Sequence, residues 1–278
     1  MANRRSKQSS AKVVSIVDHL AKRKRESRAR GILEVMDLLD QALAGGSTDD
    51  GVAAEPSDLA ADAARFASRG GLEAELGQHD EAFADCSLAI ELDGRNARAH
   101  AIRGICRIPL GHDESLVMAD LDRAVELAPD DWECRYFRGH ALAEQCRFAE
   151  AFADFDHAIA KRPDVAVLYE ERGSARARRV DTEDELEGWK EASLADFDKA
   201  LALGRRSLDL YLDKALLLQT SGDLAAALDF LDWAAKELPH EGVIFYYRSD
   251  VKKALKDETG SKADRERAVE LGFALGKD

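Results

Sequence analysis

Proline and aromatic residues are scarce in this 278-residue chain, which has five Pro and 6% Phe, Trp and Tyr. Few proline breaks, 45% hydrophobic residues led by Ala and Leu, and 34% charge favour amphipathic helices over strands. No window approaches eighteen consecutive apolar residues, which excludes a membrane-spanning helix. A secretory apolar region followed by a small-residue cleavage site is missing too, so an intracellular, cytoplasmic protein is expected. The four cysteines, Cys86, Cys106, Cys134 and Cys146, show no CxxC spacing and read as reduced structural thiols, mostly on apolar helical faces. The seven histidines form neither HExxH nor a Cys/His cluster, so no metal is expected. GxxxxGK[ST], GxGxxG after a strand and GxSxG are all missing. The chain is therefore expected to be no enzyme and to carry no cofactor. Its length suits one large domain or two small ones.

The net charge of -14 hides an asymmetry. Residues 1–30 hold ten Lys/Arg against Asp18 and Glu26, a sum of +8, which leaves -22 on residues 31–278. A basic arm is joined to an acidic body.

What the chain has in abundance is repetition. Copies begin near Ala63, Ala97, Trp132, Ala166, Leu208 and Gly242, at spacings of 34, 35, 34, 42 and 34 residues. The eighth position holds Gly70, Gly104, Gly139, Gly173, Ala215 and Ser249. A later position is always alanine: Ala89, Ala124, Ala158, Ala200, Ala234 and Ala268. Three residues before it stand Cys86, Leu121, Phe155, Phe197, Leu231 and Arg265, and three copies end in proline, at Pro129, Pro163 and Pro239. The pattern fits two helices per copy. A small eighth residue lets the first helix approach the second, a large apolar residue fills the space, and proline stops the second helix. One hairpin cannot bury its apolar faces alone, so hairpins stack.

On these residues, with the aromatics Phe66, Tyr169, Tyr211 and Phe245 and the turn glycines Gly77, Gly111 and Gly222, the sequence resembles a tetratricopeptide repeat (TPR) protein over about residues 63–275. The fold expected is all-α, a right-handed α-solenoid of about six TPR-like hairpins with an N-terminal helical extension. Residues 1–11 read as a disordered basic arm, 12–44 as one or more helices with Ile32, Val35, Met36, Leu39 and Leu43 on one apolar face, 45–58 as a linker, and 59–278 as the solenoid. Pro109 should end the first helix of repeat two early. In repeat four, eight residues longer, Thr182 and Glu185 have capping-box spacing, and both helices are expected to gain about one turn. Ser261 and Arg265 make the last helix polar, which suits a terminal cap.

Three Asp-x-Asp pairs, Asp120/Asp122, Asp154/Asp156 and Asp196/Asp198, invite a metal reading. Two residues apart on a helix they point about 200° from one another and cannot jointly grip an ion. The first of each has a better partner. The seventh position is Arg69, Arg103, Arg138, Arg172, Lys214 and Arg248, and the matching second-helix position is Asp85, Asp120, Asp154, Asp196, Phe230 and Asp264. Arg accompanies Asp and Lys accompanies Phe, which predicts five Arg–Asp bridges, taken as surface pairs of about 0–1 kcal/mol each.

The resemblance implies a concave ligand groove built by the first helices. Its residues here are Arg98, Ile105, Glu133, Tyr136, His140, Glu170, Asp209, Leu212, Leu216, Tyr246 and Asp250. The Lys/Asn/Lys/Arg clamp that some members use for a peptide carboxylate is replaced by Ala67, Gly71, Ile102, Glu133 and Phe137, so carboxylate capture is not expected. An apolar strip with acidic neighbours suits a basic amphipathic peptide or helix of another protein. The function expected is a scaffold or adaptor. The helix at 32–43 is a second candidate occupant, in cis, and also a candidate cap on repeat one. The alternative is a nucleic-acid-associated regulator, with weak, salt-sensitive contacts confined to the arm and the acidic body recruiting a partner.

Overall fold

A computed structural model of the chain describes residues 56–178 and 188–273. The arm, the helix expected at 12–44, most of the linker, and Thr182 and Glu185 lie outside the described residues. The described residues are all helix and turn: α1 Pro56–Glu75, α2 His79–Leu92, α3 Ala97–Arg107, α4 Glu114–Leu127, α5 Trp132–Glu144, α6 Phe148–Lys161, α7 Ala166–Arg178, α8 Trp189–Ala202, α9 Leu208–Thr220, α10 Leu224–Glu237, α11 Gly242–Ala254 and α12 Glu258–Glu270. They form two compact units that divide after Leu168.

Helix boundaries follow local chemistry. Asn96 caps α3 by accepting from the Ala99 amide, Asp131 caps α5 by accepting from Glu133 and Cys134, and Ser207 caps α9 by accepting from Leu210. Pro129, Pro163 and Pro239 each stand two residues beyond the end of a second helix. Pro109 likewise follows the end of α3, which at 11 residues is the short first helix expected. Helix α1 begins at Pro56, inside the expected linker, where proline suits a first turn. In repeat four α8 starts at Trp189 after the left-handed Gly188 and spans 14 residues, like α2, α4 and α6. Helix α7 has 13 as described. Residues 179–187, where the added turns were expected, lie outside the described residues.

In the first unit, α1–α2, α3–α4 and α5–α6 form hairpins, and the first helices α1, α3 and α5 pack one after another. The core has the positions the repeats foretold. All six alanines of the invariant position are fully buried, as are Cys86, Leu121, Phe155, Phe197 and Leu231. Glycine at position eight is required by contact: a Cβ on Gly104 would lie 2.9 Å from Leu121 Cγ, and one on Gly139 would lie 3.1 Å from Phe155 Cε1. In the second unit α9–α10 and α11–α12 are hairpins, and Ser193 Oγ of α8 donates to the Gly173 carbonyl of α7 at 2.7 Å.

All five Arg–Asp bridges form, and each is two-pronged. Arg69 Nε and Nη2 donate to Asp85 at 2.5 and 2.6 Å, Arg103 to Asp120 at 2.9 and 2.6 Å, and Arg138 to Asp154 at 2.7 and 2.9 Å. Arg172 donates to Asp196 at 3.0 and 2.6 Å and Arg248 to Asp264 at 2.7 and 2.5 Å. They are not surface pairs, however. The five aspartates are buried, 1–8% exposed, because the bridge lies between the helices. Further cations crowd four of them: Arg107 on Asp120, Arg135 on Asp154, Arg176 on Asp196 and Lys252 on Asp264. Burial pushes Asp120 up, and hydrogen bonds from His100, Arg103 and Arg107 more than reverse this, holding it well below the usual carboxylate range.

The Asp two residues further along the second helix also has a job in three repeats. Asp122 accepts from Arg138 Nη1 at 3.0 Å, Asp232 accepts from Arg248 Nη1 at 2.9 Å, and Asp198 accepts from Lys214. Arg138 and Arg248 thus each hold their own repeat through one Asp and the preceding repeat through another. Lys214, lacking an inner Asp, places its ammonium 4.7 Å from the centroid of Phe230. Of the cysteines, Cys86, Cys106 and Cys134 are buried, and burial pushes the last thiol up to about 12. Cys146 is exposed in a turn with φ 58°, the repeat position of Gly77, Gly111 and Gly222, so it does not sit on an apolar helical face.

Asp154→Ala should cost about 3–5 kcal/mol in urea unfolding, because two guanidinium groups lose a buried counter-charge. Asp122→Ala, on the exposed side, should cost less than about 1 kcal/mol. Lys256 also sits in the left-handed region, at φ 65°. Lys256→Gly should stabilise the chain by about 1 kcal/mol, read as a rise in the urea midpoint.

Candidate functional site

The first-helix residues proposed for ligand contact fall into two groups, one in each unit. In the first unit, α3 and α5 present Arg98 and Glu133, whose charged atoms are 3.8 Å apart. Burial, opposed by Arg98, raises the Glu133 carboxyl above the usual range. Tyr136 is half-buried and tilted against Phe137, with ring centroids 5.1 Å apart, and His140 one turn along is half-buried as well. Ile105 packs on the cluster of Val117, Leu121 and Ala141, so much of its surface is used inside the repeat stack.

In the second unit the same positions diverge. Asp209 is exposed and Leu212 half-buried. Leu216, 43% exposed, is one of the few large apolar side chains open to solvent. Glu170 is 4% exposed, and Arg205 and Ser207 occupy its two oxygens, so it belongs to the packing and not to an acidic rim. Asp250 is paired with Arg265 at 3.1 Å, and Tyr246 lies against Phe273 with centroids 5.0 Å apart. Three of the expected contacts are thus already engaged by the chain itself.

A cavity of about 230 Å³ opens beside Leu216, lined by Ser174, Ala177 and Arg178 of α7, Trp189 of α8, and Asp213, Leu217 and Thr220 of α9. Asp213 is its one acid, with Arg178, Ser174 and Thr220 as the other polar lining residues. Ser174 Oγ donates to it at 2.5 Å. Its carboxyl is raised, first by burial and then by the charges of Asp209 and Glu171, against the lowering effects of Ser174 and Arg178. Sequence reasoning missed Asp213, because it occupies position six, where Ile102 and Phe137 are core residues. An acid in an apolar position, repeated at Glu171, was the available signal. A larger space of about 600 Å³ borders α12 among Lys253, Glu258, Ser261, Lys262, Arg265, Glu266, Val269 and Glu270, and its lining is nearly all charged.

No group of three or more His, Cys, Asp and Glu among the described residues has a metal-holding arrangement, and no helix there is long and apolar enough to cross a membrane. One like-charge pair does stand out. Glu73 on α1 occupies the position held by Arg107, Arg176 and Lys252 in other repeats, so Asp85 meets a second carboxylate there. Glu73 is 6% exposed, its Oε2 has no hydrogen-bond partner, and its Oε1 is 3.8 Å from Arg69 Nε. Burial, then Asp85, outweigh Arg69, and with Glu81 they push the Glu73 carboxyl up to about 7. Sealed from solvent, it is a stability element and not an acid for a substrate.

A carboxyl raised on folding binds extra protons in the native state. Its contribution is therefore full below the unfolded value of about 4.5 and is lost as pH rises through about 7. Wild type should lose about 1–3 kcal/mol between pH 4.5 and 8 relative to Glu73→Gln, measured as the difference between their urea unfolding curves at each pH.

No protein-family profile matches the chain, and a comparison with curated proteins returns no match. Solved structures do match. PilW, a type IV pilus biogenesis factor, superposes with a TM-score of 0.66 at 16% identity, covering 76% of this chain and 94% of its own. PilF of Pseudomonas aeruginosa gives 0.60 at 18%, covering 77% and 90%. Cut9, from an anaphase-promoting-complex assembly with Hcn1, gives 0.62 at 13%, covering 79% of this chain and 43% of its own. Similar structures include tetratricopeptide repeat proteins, among them one from Thermus thermophilus at a TM-score of 0.51. Together with the hairpin core described above, they show that this chain has the all-α tetratricopeptide repeat fold.

Proposed function

We propose that the chain is a non-enzymatic interaction module that binds a peptide or helix of another protein on the face of its first helices. One observation carries the reading: the exposed Leu216 stands beside a cavity walled by Ala177, Trp189 and Leu217. The buried bridge aspartates are matched, in four repeats by two cations each. Here an apolar surface and a partly desolvated acid are left facing outward. An apolar side chain buried by a partner is worth about 1.5–3 kcal/mol before association costs, so two or three anchors give a usable affinity. The solved neighbours support the reading only through their fold, since the fold hosts many partners. A cytoplasmic setting and the absence of a catalytic role belong to this same proposal.

The test is quantitative affinity capture by the tagged full-length chain. Leu216→Glu and Leu212→Ala should each lower retention of specific partners at least tenfold. Leu116→Ala, at an exposed leucine on the second helix α4, should leave retention unchanged. Equal loss in all three, or no loss in any, rejects the reading.

A further inference from the structure

Resting on that reading, we infer that the cavity at Asp213 is an anchor pocket for one arginine or lysine side chain of the partner polypeptide, with the Asp213 carboxylate as counter-ion.

Size comes first. At about 230 Å³ the cavity is below the 300–1,000 Å³ usual for drug-sized ligands and suits a single long side chain. Its lining is divided as such a side chain is divided. Ala177, Trp189, Leu216 and Leu217 offer apolar surface to a methylene stem, and Asp213 offers charge to its tip.

Asp213 also differs from the other buried acids. Asp120, Asp154, Asp196 and Asp264 each take hydrogen bonds from two cationic side chains. Glu170 takes one from Arg205. Asp213 takes its hydrogen bond from a neutral hydroxyl, Ser174. Arg178 acts on it as a nearby charge, opposed by Asp209 and Glu171. A partly desolvated carboxylate with two acids around it gains most from a cation brought in by a ligand.

The probe is acetyl-arginine amide, with acetyl-citrulline amide as its uncharged isostere, titrated to 50 mM into the ¹⁵N-labelled full-length chain. The Trp189 indole N–H signal, assigned by its loss in Trp189→Phe, is the readout. Acetyl-arginine amide should shift it saturably, and acetyl-citrulline amide should bind at least tenfold more weakly. Asp213→Asn, which keeps an acceptor for Ser174, should weaken the arginine probe at least tenfold, and Asp250→Asn should not. Equal response to both probes, no change in Asp213→Asn, or no saturable shift up to 50 mM overturns the assignment. Changing Lys22, Arg23, Lys24 and Arg25 to Gln should leave the affinity unchanged. A tenfold rise would mean that the chain's own arm fills the pocket, which overturns the partner assignment. If these titrations succeed while Leu216→Glu and Leu212→Ala capture partners normally, the pocket stands and the broader docking face falls. The reverse pattern removes the pocket alone.

Discussion

A carboxylate buried between two helices and clasped by the arginine opposite is the constraint on which five of the six hairpins depend. Such a group tolerates little displacement, because the cost of desolvating it is recovered only when the two-pronged geometry is kept. In five of six repeats it fixes how the first helix is turned about its axis and how far it slides along the second. The small residue at position eight then sets how closely they approach, and the aromatic or aliphatic residue facing it fills what remains. The outer prong, from Arg138 to Asp122 or Arg248 to Asp232, carries the same orientation to the preceding repeat. The orientation of the outward-facing first-helix side chains is thus inherited from charges on the other side of the same helix.

The fold was legible because its determinants recur. One alanine kept in six copies is a stronger statement than any local propensity, and covariation within the chain, Arg with Asp and Lys with Phe, identified the bridges before any coordinate. What could not be read was depth. Asp85 and Asp154 were taken for surface partners because a charged residue on an amphipathic pattern looks solvated. Burial depends on the second helix lying over it, which no single repeat shows. The same limit affected Glu170, whose oxygens are claimed by Arg205 and Ser207 from some 35 residues away.

The candidate site was harder to read than the fold because ligand-facing positions vary from copy to copy and so carry no periodic signal. Resemblance supplied positions, and the structure sorted them. Leu216 faces outward, Ile105 is absorbed into packing, and Asp250 and Tyr246 are occupied by Arg265 and Phe273. Asp213 emerged from the sixth position, which is Ile102, Phe137 and Tyr247 in three copies and polar in the other three. A polar group in a packing position is the kind of departure that function leaves behind.

The difference in depth between the two prongs bears on how such a chain grows. The inner bond is sealed inside a hairpin, whereas Asp122 and Asp232 are about half open to water. A copy excised or inserted at a repeat boundary therefore severs hydrated Arg–Asp pairs and leaves the sealed Arg–Asp pairs intact. Lineages can lengthen or shorten this array without stranding the bridge aspartates in its interior.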